Sequence, residues 1–285
     1  MKFLTSMSLA VALTMTPAPA LAQSNWNQPA EPYHVAGNIY YVDTEGLGAY
    51  LFTGSSGHVL LDGTTPEGAA IIEANITKLG FKLGDVKILL NSHAHFDHSG
   101  GLAKLKADTG AQLVAMEGDV SALEGGFYLG SEDVKAMSAP PVKVDRIIKD
   151  GDKVSLEGIE LTANLTAGHS RGCTSWGAKV SEGGKTYDVL VFCSATVAAN
   201  RITPPLQYED IVEDYRATFA KTKTMKVDIP LAPHTEFFGL LAKRDQAKAD
   251  KAVNPFVDPG AFQPFTAKLE ADFEKTLREQ TAKGQ

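Results

Sequence analysis

Early in the chain, apolar and β-branched residues come in short runs separated by turn-forming residues, the pattern of strands rather than helices. Asn38–Val42, Tyr50–Thr53 and His58–Asp62 are such runs, and they predict a meander of strands. Over Pro66–Leu79 the period changes. Ala69, Ile72 and Ile76 recur at helical spacing, and the stretch leads into Val86–Leu90, a mostly apolar run suited to a buried strand. Gly100–Thr109 followed by Gln112–Ala115 repeats the alternation of helix and strand. Glu117–Val144 has no clear period and carries Gly125-Gly126 and Pro140-Pro141, which predicts a long surface excursion of the kind that borders a site. Strands return at Arg146–Lys149, Lys153–Leu156, Ile159–Leu165, Thr174–Val180 and Tyr187–Phe192, punctuated by Asp150-Gly151 and Gly183-Gly184. A helix over Tyr208–Thr222, a strand at Val227–Leu231 and helices over Glu236–Ala249 and Pro264–Ala282 complete the pattern. Two halves of similar size, with no linker between them, predict an α/β fold: two β-sheets face to face with helices outside, one domain over residues 23–285.

The first 22 residues do not fit that pattern. Lys2, an apolar run over Leu9–Met15, and Ala20 and Ala22 at A-x-A spacing predict a secretory signal cut after Ala22. The run is too short to span a bilayer, and no later segment reaches the roughly 20 apolar residues a membrane helix needs. Export to an oxidising compartment, the periplasm, is the expectation, with no membrane insertion. With 34 acidic against 27 basic residues, a net charge of -7 and no Lys/Arg run, the surface would repel a phosphate backbone, and nucleic acid is excluded as a partner. Two cysteines are too few for a site made of thiolates alone, so any metal must rest mainly on carboxylates and the seven histidines.

Three of those histidines crowd into one place. Val86–Leu90 runs into Asn91-Ser92-His93-Ala94-His95-Phe96-Asp97-His98, with three imidazoles and a carboxylate in six positions. His93 and His95 can project the same way as the chain leaves the strand, while Asp97 and His98 turn toward a second position as a helix begins. Imidazole nitrogen and carboxylate oxygen suit zinc, and four ligands in so short a segment can be divided between two ions. Two ions need more ligands, and His169 and His234 each sit in a short turn just after a strand. His34 and His58 lack that context and read as ordinary surface or core residues.

His93 to His98, followed by Gly168-His169 and Pro233-His234, resembles the metallo-β-lactamase superfamily, and His98 together with Ser170–Trp176 resembles its subclass B3. The resemblance implies an αββα sandwich with two zinc ions per chain, His93, His95 and His169 holding the first and Asp97, His98 and His234 the second. It implies hydrolysis of the β-lactam ring of penicillins, cephalosporins and carbapenems by a hydroxide shared between the metals, oriented by Asp97, in a chain expected to be a monomer. Another hydrolase of the superfamily, acting on a cyclic ester or thioester such as an acyl-homoserine lactone, is the alternative. Hydrolases resembling glyoxalase II or the lactonases carry a bridging Asp after the strand that here ends in Phe192-Cys193-Ser194-Ala195-Thr196, and no Asp lies there. Ser194 and Thr196 are the implied contacts for the substrate carboxylate. Cys193 is then left over. Its one possible partner is Cys173, and a disulfide between them would brace the His169 turn against the Ser194 strand end. Phe96, Phe127, Tyr128 and Trp176 are candidates for an apolar groove around the site.

Overall fold

In the computed structural model, which describes residues 25–283, the strands fall into two sheets. β1 (Tyr33–Ala36), β2 (Ile39–Tyr41), β3 (Tyr50–Gly54), β4 (Gly57–Leu61), β5 (Val86–Leu90), β6 (Gln112–Met116) and β7 (Arg146–Ile148) form the first, in that order. Its first four strands pair antiparallel and its last four parallel. The second sheet takes β8 (Lys153–Leu156), β9 (Ile159–Leu165), β10 (Thr174–Glu182), β11 (Lys185–Val191) and β12 (Ile229–Leu231), antiparallel except for the parallel pair of β11 with β12. The helices are α1 (Gly68–Lys78), α2 (Phe96–Ser99), α3 (Leu102–Thr109), α4 (Val120–Gly125), α5 (Ile211–Thr222), α6 (Leu240–Ala249) and α7 (Phe262–Lys283).

Strand alternation divides the apolar side chains among three cores and so fixes the layering. Tyr50, Phe52, Val59, Leu61 and Leu90 of the first sheet meet Leu161, Trp176, Val189 and Val191 of the second in the core between the sheets. The residues between them in sequence, Leu51, Leu60 and Leu89, point the other way and pack with Ile72 and Ile76 of α1 and Leu102 and Leu105 of α3. On the far side Leu190 and Phe192 pack with Tyr215 and Phe219 of α5 and Phe273 of α7. Helix, sheet, sheet, helix is the αββα order expected from the sequence, and because the central strands are covered on both faces they read as continuous apolar runs.

Three features depart from the sequence reading. β1 has no counterpart in it: four residues at a sheet edge, with His34 exposed between buried Tyr33 and Val35, are too few to show a period. The stretch read as a surface excursion buries Asp119, Leu123, Tyr128 and Val142, and it holds α4, whose six residues are too short to reveal helical spacing. The helix expected from Glu236 starts only at Leu240, because Phe238 and Gly239 adopt left-handed backbone (φ 60 and 62) and break the register after His234. The segment read as an export signal, residues 1–22, lies outside the described residues.

Candidate metal centre

Strand ends from both sheets converge on one rim and deliver all six donors. β5 runs straight into His93, and two residues on, His95 keeps extended backbone (φ -80, ψ 148), so both imidazoles leave the chain on the same side. The chain then winds into α2, which carries Asp97 and His98. His169 lies on the loop between β9 and β10, and His234 follows β12. One ligand-competent atom from each of His93, His95 and His169 lies within 4.8 Å of the others, and the same holds for Asp97, His98 and His234. The two trios adjoin, the His93 and His98 ring centres being 4.3 Å apart.

In the second trio His98 Nε2 stands 3.1 Å from His234 Nε2 and 3.3 Å from the Asp97 carboxylate, which is 3.6 Å from His234 Nε2. His93 Nε2 is buried with no hydrogen-bond partner, a costly arrangement for a polar atom unless something else ligates it. Burial drives His93 and His95 well below the usual imidazole range, His169 down to about 4 and His234 down to about 3, so these rings stay neutral with lone pairs available. Burial works to raise Asp97, but the charge and hydrogen bond of His98 outweigh it and hold the carboxyl well below its usual range. Burial works to lower His98, but the Asp97 charge and hydrogen bond outweigh it and raise it, so this ring gives up a proton when it takes a metal. Four neutral imidazoles and a fifth paired with an ionised carboxylate are a donor set suited to zinc, so the residues fit the metal that the sequence implies.

The surroundings fix these side chains. His169 Nδ1 lies 2.7 Å from the Thr196 carbonyl, an acceptor only, so Nδ1 carries the proton and Nε2 is left free. Asn200 donates to the His169 carbonyl, and Tyr215 donates to that of Thr196. Gly168 has φ +127 and a Cβ there would come within 2.7 Å of the Tyr215 ring, so only glycine lets the loop close on α5. Asp62 accepts the Ser92 N–H at 2.6 Å and pins the end of β5. Gly48 N–H donates to Pro233 O and Thr235 Oγ1 to Glu45 O, which stitches the His234 turn to the loop before β3. Cys173 and Cys193 are joined in a disulfide, as expected from the sequence. Their sulfurs also lie near His93, but bonded sulfurs are not thiolates and add no third ligand set.

Above the trios lies a cleft of about 230 Å³ walled by Trp26, Phe96, Tyr128, Met137 and Thr196. Tyr128 stacks on His95 with ring centres 4.2 Å apart. Of the aromatic residues expected around the groove, Phe96 and Tyr128 are there and two are not. Trp176 is fully buried between the sheets, its indole N–H donating to Asn91 O, and Phe127 packs against the outer helical layer. Trp26 was not anticipated; it lies in a short polar stretch without periodicity, and its ring is tilted against Phe96 and His234. Thr196 lines the cleft, whereas Ser194 is 1% exposed beneath it and its hydroxyl accepts the Thr196 N–H.

The model of the metallo-beta-lactamase superfamily matches residues 48–180. A subclass B3 metallo-beta-lactamase of Bradyrhizobium japonicum superposes with a TM-score of 0.90 at 49% identity, over 93% of this chain and 100% of that one. The metallo-beta-lactamase of Legionella gormanii does so with a TM-score of 0.85 at 36% identity, over 89% of this chain and 98% of that one. A hydroxyacylglutathione hydrolase of Rhodospirillum rubrum is 31% identical over 84 residues, 30% of this chain and 26% of that protein, so the match spans only about a quarter of the curated relative. With the six donors on the rim of an αββα sandwich and this extent of similarity along the chain, the protein belongs to the subclass B3 metallo-beta-lactamases.

Proposed function

We propose that the protein hydrolyses β-lactams with two zinc ions, one held by His93, His95 and His169 and the other by Asp97, His98 and His234. The observation that carries this reading is the pair of three-donor sets side by side on the floor of an open cleft. A closed structural site would use four protein ligands, whereas three leave a position for water or substrate. Bound zinc supplies water acidified toward neutrality and polarises the scissile carbonyl. The chain's own residues do the rest. Asp97, kept ionised, accepts a hydrogen bond from the attacking water and orients it. Thr196 on the cleft wall offers its hydroxyl to the substrate carboxylate, with Ser194 holding it from beneath. Phe96 and Tyr128 supply apolar surface for the rest of the substrate, and penicillins, cephalosporins and carbapenems are the range we assign.

The matches to hydroxyacylglutathione hydrolases favour a second reading, a thioester or lactone hydrolase. Against it stands the strand end after β11, where Ser194 and Thr196 replace the carboxylate such hydrolases place there. Assaying a carbapenem and an acyl-homoserine lactone side by side separates the two. β-Lactam turnover that a chelator abolishes and zinc restores is expected; lactone turnover without detectable β-lactam turnover would overturn the first reading. We place the mature chain in the periplasm, a compartment in which the Cys173–Cys193 disulfide persists. No described helix is long and apolar enough to cross a membrane.

A further inference from the structure

The first trio draws its ligands from two loops far apart in sequence, and one buried side chain fastens those loops to each other. Asp119 follows the end of β6, the neighbour of β5, and is 3% exposed. Its Oδ2 accepts the Ala94 N–H at 2.9 Å, from the residue between His93 and His95, and the Ser170 hydroxyl at 2.8 Å, from the residue after His169. Its Oδ1 accepts the Gly172 N–H at 2.7 Å. Among the described residues, no other side chain hydrogen-bonds both the His93–His98 segment and the His169–Gly172 loop. The backbone is built for this approach. A Cβ on Gly118 would come within 2.5 Å of Arg171 O, and one on Gly172 within 2.5 Å of Asp119 N.

We infer that Asp119 is a positioning residue for the first metal site, setting the separation of His93 and His95 from His169. This rests on the metal-binding reading above. A carboxylate is the one side chain of its size with acceptors for all three donors, and hydrogen bonds to an ionised acceptor are stronger and shorter than neutral ones. Asparagine keeps the shape but not the pattern. In either amide orientation its NH2 faces the Ala94 N–H or the Gly172 N–H, so one donor is set against another and one loop is released.

The test is the zinc affinity of the purified, folded protein, measured by chelator competition, together with the visible spectrum of the cobalt(II)-loaded form and the thermal midpoint of the metal-free form. Asp119→Asn is expected to weaken the binding of one of the two zinc ions by about 10- to 100-fold and to shift the cobalt spectrum. Ser170→Ala, which removes one donor without creating a clash, is expected to weaken it by a few-fold, and it decides the matter should Asp119→Asn fail to fold. Zinc affinity and cobalt spectrum unchanged in a folded Asp119→Asn, or in Ser170→Ala when that is the one measurable variant, with only the metal-free midpoint lowered, would overturn the inference and leave Asp119 a fold-stabilising residue. A parent protein that binds no zinc would bring down the metal-binding reading itself, a result distinct from unchanged binding in the variants.

Discussion

His169 keeps its Nε2 free because its other nitrogen is spent on a carbonyl, and His98 shows the opposite arrangement, its Nε2 shared between His234 and Asp97. These two donors are thus oriented by specific neighbours, and the consequences of substitution are local. His98 belongs only to the second trio. His98→Ala is expected to reduce the metal content from about two zinc ions per chain to about one, with the first set intact, as read by elemental analysis of the dialysed protein. Retention of both ions would show that the ligands are divided differently. At this scale the sequence is informative where donors are contiguous. His93, His95, Asp97 and His98 crowd into six positions and announce themselves, and His169 and His234 are legible from their place after strands. Asp119 is not legible, because a lone carboxylate in an aperiodic stretch gives no signal until the chain has folded it between two loops.

Elements matter here mostly by where they stop. The ends of β5, β9, β11 and β12 place the ligand and cleft residues on one rim, and the disulfide ties the start of β10 to the end of β11 across a separation of 20 residues. Closing a loop of that length limits the unfolded chain, so replacing both cysteines by serine is expected to lower the unfolding free energy by about 3 kcal/mol in denaturant titration. A loss below about 1 kcal/mol would mean that β10, β11 and the loops beside them are held sufficiently by Asp119, Asn200 and the sheet itself. Strand and helix positions were readable because the buried strands are continuous apolar runs and α1 keeps its period. What escaped were the elements too short for periodicity, β1 and α4, and the direction of Trp176. That direction had a signal: Trp176, Ala178 and Val180 alternate with Ser175, Gly177 and Lys179, which puts the indole on the apolar face.

Taken as a whole, the molecule is expected to fold without its metal. The helices that close the outer cores, α1 and α3 on one side and α5 and α7 on the other, carry none of the six candidate donors. The loops bearing the candidate ligands are fastened by Asp62, Asp119, Asn200 and the disulfide. A small domain whose only core is a zinc site unfolds when stripped, because the binding free energy is its folding free energy. A metal that adds to a fold already standing contributes an increment set by mass action, about 2.7 kcal/mol at a free zinc concentration of 100 times Kd. The chelator-treated protein is therefore expected to keep its far-ultraviolet circular dichroism and a cooperative thermal transition, with the midpoint lowered and recovered as zinc is returned. Loss of the cooperative transition on stripping would mean that the cost of burying five imidazoles and a carboxylate within one rim, several of their nitrogens without partners, outweighs the hydrogen bonds that hold them.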